Sequence, residues 1–451
     1  MLSDVQDRIR RFVSGATGTS LQKLILRASS GTLGVKIVGA ALAFLMQIVL
    51  TRTLGSEQYG IYIYAITWAQ LVALVGAFGF PTASVRFVSE YWGQHSFALL
   101  KEFLRFSRRL ALMVSLGLGV AMAALATWLY APSMMLYTFW GAALLPVVQS
   151  TMAVRLAEIK GMQHIVSSHA VEQIVRPVIV IATIGGAAWL GQALLSYEAM
   201  GVYIGGTATA AVLAIWISRR VLPDEVASVE PDKTEYDARR SRWFYAARDM
   251  VLIAGFNLVL FRADTIMVGS LMGATEAGLY NIASRVSGLM AFTLVAVNSS
   301  IGPIIADTYA KEKYDEMRDT VTFGARIIFA CSFGAAVFLF VAGERILSLF
   351  GPAYTDSFWI MVALVIGQIA NAWAGPAMLL LNMTGFESVS ARIQIGSAIL
   401  NLVLNAALIF LFGAIGAAIA TGASIAVKNI VAIGVVRKYL DTDASFVGYH
   451  T

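Results

Sequence analysis

Apolar stretches of about twenty residues recur twelve times along this chain. They lie near 31–52, 60–81, 106–130, 133–154, 175–191, 195–217, 248–269, 277–303, 324–350, 357–381, 390–412 and 414–436. An α-helix rising 1.5 Å per residue needs about that length to cross a hydrocarbon layer roughly 30 Å thick. Backbone groups in lipid must be bonded internally, and the alternating ten-residue segments of an outer-membrane barrel are absent, so the repetition restricts the fold to a helical bundle. Composition agrees: 13% of residues are charged, against roughly 25% in a soluble domain. Cys331 is the one cysteine, which excludes an intrachain disulfide and a thiolate metal site.

Orientation follows from the lysines and arginines. With the N-terminus in the cytoplasm, 29 of the 33 fall on the inner side and only Arg52 and Arg345 on the outer, leaving Arg262 and Arg285 within spans. Both termini are expected to be cytoplasmic. The bias accounts for the net charge of +6 and calls for no nucleic acid. Residues 1–30 are too charged for a cleaved signal peptide. Leu2, Val5, Ile9 and Phe12 recur there at helical spacing opposite Arg8 and Arg11, the pattern of a basic amphipathic segment on the inner leaflet or of a disordered tail.

The polar, proline-bearing stretch 218–247 reads as a cytoplasmic linker between an N-terminal lobe, 31–217, and a C-terminal lobe, 248–436, with a cytoplasmic tail at 437–451. The two lobes resemble each other. A shift of 218 residues lays "LGSEQYGIYIYA" on "MGATEAGLYNIA", matching Gly55 with Gly273, Gly60 with Gly278 and Tyr62 with Tyr280, and the same shift puts Tyr91 on Tyr309. Each half holds an even number of spans, so the repeat is parallel, its axis along the membrane normal. Two six-helix bundles facing a central cleft suit alternating access.

"GVKIVGAALAFLMQIVLTRTLGSEQYGIYIYA", followed by "GFPTASVRFVSEY" and echoed by "RADTIMVGSLMGATEAGLYNIA", resembles the polysaccharide and O-antigen flippases of the multidrug/oligosaccharidyl-lipid/polysaccharide exporter superfamily. The resemblance implies a two-lobed, multi-pass protein of the bacterial or archaeal inner membrane. It would pass a polyprenyl-diphosphate-linked oligosaccharide to the outer leaflet for polysaccharide biosynthesis, among membrane lipids and beside a polymerase or other biosynthetic proteins, functioning as a monomer. A cation-coupled drug exporter of the same superfamily and a membrane glycan ligase or polymerase stand as alternatives.

The residues point the same way by elimination. A glycan-cleaving site needs paired carboxylates, and only Asp264 lies well inside an expected span. His95, His164, His169 and His450 fall in inner segments, and no GxxxxGK[ST] loop occurs. No catalytic residue, metal or cofactor is expected.

Arg262 and Asp264 are the anomaly, since a charge at mid-bilayer costs ~2.5–3.5 kcal/mol on insertion scales. Two residues apart is about 200° on a helix, so they do not pair with each other. Arg285, at comparable depth on the next helix, is the expected partner of Asp264, as a coupling site or a structural lock. That leaves Arg262 and Arg52 as unpaired cations suited to a diphosphate, with Lys36 near the inner end as a further contact or a mere topology residue. Asn401 with Asn405, and Gln368 with Asn371, share helix faces as sugar contacts or interhelical glue. Pro146 and Pro376 interrupt corresponding helices as hinges or static kinks. Tyr62, Tyr64, Trp68 and Tyr280 read as an interfacial aromatic belt, or as a stacking platform for sugars.

Overall fold

The computed structural model describes the backbone of residues 20–222, 225–226, 229 and 233–447, and side chains among these except at 20–31, 33, 233–238 and 252–261. Of the amphipathic segment expected at 1–30, residues 1–19 lie outside the described residues and the backbone of 20–30 begins the first helix. Every regular element among them is helical. In chain order these are α1 (Ser20–Gly76), α2 (Phe80–Gly93), α3 (Phe97–Leu129), α4 (Met134–Ala142), α5 (Leu145–Gly161), α6 (Ile165–Ala170), α7 (Arg176–Trp189) and α8 (Ser196–Val221). Then come α9 (Lys233–Met272), α10 (Ala274–Gly288), α11 (Ala291–Ala310), α12 (Tyr314–Ser348), α13 (Phe358–Trp373), α14 (Ala377–Met383) and α15 (Glu387–Leu440). A π-helical turn, Val171–Val175, joins α6 to α7.

Nine helices among the described residues are long and apolar enough to cross a membrane. Two of them hold two spans apiece. Inside α15, Gly413 adopts φ 61°, and Asn401 then donates to Thr421 at 3.2 Å while Ser397 donates to the Ser424 carbonyl at 3.1 Å. A straight helix would set residues twenty apart ~30 Å from each other, so the chain folds back at that glycine. In α1, the turn is at Gly55, with φ 73° and ψ 176°. The span expected near 248–269 falls in α9, much of whose centre lies outside the described side chains.

The repeat seen in the sequence is present in the backbone. Gly273, between α9 and α10, has φ 102° and ψ 165°, close to the angles of Gly55, its partner at a shift of 218. An L side chain rarely adopts that conformation, which is why both positions are glycine. Each half goes on to a long helix, of 33 residues in α3 and 35 in α12, followed by a helix broken at a proline. Pro146 lies in the first turn of α5, after the break at Ala143–Leu144, and Pro376 caps α14 after Gly375 turns at φ 60°.

By contacts the chain forms two compact units, Met1–Val49 with Ala69–Gly255, and Leu50–Trp68 with Phe256–Thr451. The core of the first is aromatic, with Phe80, Phe87, Tyr91, Phe103 and Trp243 all fully buried. Trp243 donates to the Tyr91 hydroxyl at 2.8 Å. The stretch expected as a linker is thus helical from Lys233 onward. Trp243 and Ala247, one turn apart, carry it into the core. In the second unit, Ile305, Met317, Val321, Leu380, Leu381 and Ile433 pack together. Gly60 and Gly278, partners in the repeat, meet there: a Cβ on Gly278 would lie 3.0 Å from the Gly60 Cα. Tyr62, Tyr64 and Tyr280 are buried at 2%, 5% and 2% exposure, so they face protein and not an aromatic belt.

Candidate functional site

Asp264 sits near the end of α9, half-buried, and its carboxylate is held from three sides within the second unit. Oδ2 accepts from the Thr421 hydroxyl at 2.7 Å and the Tyr280 hydroxyl at 2.9 Å, and Oδ1 accepts from Asn405 Nδ2 at 2.8 Å. Helix α10 and both legs of α15 supply these groups, so the reversal at Gly413 is what brings Thr421 beside Asn401 and Asn405. All three donors are neutral. The Oδ1 atoms of Asn401 and Asn405 are buried nearby with no hydrogen-bond partner. A carboxylate with neutral donors and two spare amide oxygens offers oxygen ligands to a hard cation, or a base to a proton.

Arg285 does not pair with Asp264, contrary to the expectation from matched depth; no ion pair joins them among the described residues. Arg285 Nε donates to Asn281 Oδ1 at 3.1 Å, and Tyr59 donates to the same oxygen at 3.1 Å. The reason is azimuth. Tyr280, which reaches Asp264, and Arg285 are five residues apart on α10, about 140° around the axis, whereas Asn281 is one turn before Arg285.

Nor is Arg52 a free cation. Its Nε donates to the Leu349 carbonyl at 2.7 Å and Nη2 to the Ser348 carbonyl at 3.2 Å. It therefore caps the C-terminal end of α12, where carbonyls lack helical partners and the dipole favours a positive charge. Arg262 is half-buried and engaged, so the expectation of an unpaired cation is corrected there too. Lys36 is exposed and belongs to the first unit. Asn371 Oδ1 accepts from Asn429 Nδ2 at 2.9 Å, an interhelical bond. Among the described residues no cluster of His, Cys, Asp or Glu has the makings of a metal site.

Two charges in the first unit, one fully buried and one half-buried, escaped the sequence reading. Glu158, at 0% side-chain exposure, accepts from Arg108 Nε and Nη2, both at 2.7 Å, and from the Ser218 hydroxyl at 2.9 Å, with Arg155 at 3.6 Å. The expected span ended at 154, whereas α5 continues to Gly161. An acid three residues after an arginine on a helix was the available signal. Arg176 was counted with the inner segments, yet it lies well inside the apolar run Ile165–Trp189, its guanidinium 4.8 Å from the Tyr203 ring and its Nε buried without a partner.

A family model described as polysaccharide biosynthesis protein matches residues 25–309, and a MatE model matches residues 252–407. Two relatives come from Haloferax volcanii. The chain is 25% identical over 416 residues, 90% of its length and 82% of the relative's, to a protein named as a probable low-salt glycan biosynthesis flippase. It is 28% identical over 182 residues, 40% of its own length but only 38% of the relative's, to one named as the probable flippase AglR. A multidrug resistance MATE family transporter of the MOP superfamily shares the fold with a TM-score of 0.70 at 12% identity, covering 89% of this chain and 94% of that one. The lipid II flippase MurJ does so with 0.64 at 13% identity, covering 90% and 87%.

Proposed function

Because the chain belongs to the polysaccharide biosynthesis protein family, we propose that it is a flippase that moves a polyprenyl-diphosphate-linked oligosaccharide between membrane leaflets by alternating access. The observation that carries this reading is the likeness, along 90% of the chain, to a relative named as a glycan biosynthesis flippase. The fold shared with membrane transporters supports it. The cargo is handed from the inner to the outer leaflet of the cell membrane, and the chain holds and releases it without making or breaking its bonds.

Within that reading Asp264 is the coupling group. An ionised carboxylate surrounded by neutral donors gains most from a proton or a cation, and either changes how strongly it holds Tyr280, Asn405 and Thr421. Filling the site would bias the arrangement of α9, α10 and α15. Arg262, two residues away on α9, is the diphosphate contact, with Lys36 a contact on arrival. Pro146 and Pro376, at helix breaks in the two halves, are the points of bending.

The test is reconstitution of the full chain in vesicles with a fluorescent polyprenyl-diphosphate oligosaccharide on one leaflet. Protein-containing vesicles should move the probe across faster than protein-free ones. Asp264→Asn should abolish the dependence of that rate on a sodium or proton gradient, while Arg262→Ala should slow it at every gradient and Arg262→Lys should keep part of it. Equal rates with and without the protein would refute the reading.

A further inference from the structure

A cavity of about 670 Å³ opens in the first unit between α3 and the early part of α9. Its polar end holds three guanidinium groups. Arg105 and Arg109 lie one turn apart on α3, and Arg240 faces them from α9. One carboxylate answers them: Glu102 takes Arg105 at 2.9 Å. The Arg240 guanidinium lies 5.7 Å from the Phe106 ring, and Arg109 has no ion-pair partner among the described residues. Among the described side chains that line it, three arginines stand against one carboxylate, an excess of two positive charges.

The opposite end is apolar. Leu110 and Met113 line it, and α3 continues past the cavity with Leu112, Met113, Leu116 and Val120 exposed at 47–63%, a strip facing lipid in a membrane-spanning helix. Phe244 and Tyr245 wall the α9 side. A cationic end opening onto a lipid-facing strip describes an amphipathic ligand. Arginines that only set topology have no need of a shared groove, and a water-soluble anion would leave the apolar end without an occupant.

We propose that this cavity seats the phosphate of an anionic bilayer lipid, with Arg109 and Arg240 as its main contacts and the acyl chain lying along α3. Guanidinium groups suit this, since they bind phosphate oxygens through paired, charge-assisted hydrogen bonds. The proposal is independent of the transport reading, because every residue lining the cavity belongs to the first unit, whereas Asp264 and Arg262 belong to the second.

Native mass spectrometry of the detergent-solubilised full chain tests it, with phosphatidylglycerol, phosphatidylcholine and undecaprenyl diphosphate as probes. The wild-type protein should retain phosphatidylglycerol over phosphatidylcholine, and retention should fall about fivefold for each of Arg105→Gln, Arg109→Gln and Arg240→Gln, as expected for ~1 kcal/mol per cation near an anionic surface. If Arg105→Gln or Arg240→Gln does not accumulate, Arg109→Gln, which breaks no ion pair among the described residues, carries the comparison. Unchanged retention of phosphatidylglycerol in the variants, or equal retention of phosphatidylcholine by the wild type, would overturn the proposal. Preference for undecaprenyl diphosphate over phosphatidylglycerol would also overturn it, giving the cavity to the cargo instead.

Discussion

At the scale of single residues, what a charge is bonded to decides what its removal does. Asp264→Ala strands the Tyr280, Thr421 and Asn405 donors, each costing ~1–3 kcal/mol when left unsatisfied. Asp264→Asn preserves acceptors for most of them. Thermal unfolding in detergent should therefore show a large drop for alanine and a small one for asparagine, and adding Arg285→Gln to Asp264→Asn should bring no recovery, since Arg285 is bonded to Asn281. Recovery in that double variant would restore the ion pair that the geometry lacks. Asp443, beyond the last span, gives a pH-dependent case. Burial raises its carboxyl, but the Ser445 amide and hydroxyl and Arg437, whose Nη2 lies 2.7 Å away, outweigh that and hold it below the usual carboxylate range. A carboxyl lowered by folding adds stability at pH values above its unfolded value, ~3.9, and loses it as pH falls through the lower folded value. Acid unfolding of Asp443→Asn should be less steep across that window than that of the wild type.

Among elements, glycine marks where helices touch or turn. A methyl on Gly60 would run into the Ala274 carbonyl, whereas one on Gly34 meets nothing within 4 Å. Gly60→Ala should lower the unfolding temperature by several degrees and Gly34→Ala should leave it unchanged or slightly raised, by scanning fluorimetry of the two variants. The spans themselves, the repeat and its paired glycines were legible in the sequence, because apolar length and chain reversal are local properties. The partner of Asp264 was not. Depth follows from position along a helix, but azimuth is set by packing, and the decisive donors Asn405 and Thr421 come from a hairpin 141 and 157 residues away. Arg176 and Glu158 were missed for a simpler reason: hydropathy places the ends of a span poorly, so that Glu158 lies just past the expected end at 154 and the run around Arg176 begins at Ile165, well before the expected start at 175.

For the whole molecule, the lysine and arginine bias predicts which surface meets the cytoplasm. With Cys331 replaced by serine, single cysteines at positions 196 and 275 should react with an impermeant thiol reagent added to intact cells, and one at 233 only after permeabilisation. Labelling of position 233 from outside would reverse the topology. The paired backbone angles at Gly55 and Gly273 were visible in the sequence only as two matching glycines, and the membership of the compact units was not visible at all, since it depends on which buried surfaces close around the turn at 50–68.

That turn bears on how the gene can be divided. Residues 50–68 are numbered with the first half, but Arg52 caps α12, Tyr59 bonds Asn281 and Gly60 abuts Gly278, all in the second unit. A chain cut at the junction near residue 230 therefore does not yield two self-sufficient proteins. The C-terminal fragment made alone lacks a strap of its own fold and should be degraded. The two fragments made together should reassemble into a protein that copurifies through a tag on either one, and deleting 50–68 from the N-terminal fragment should abolish that rescue.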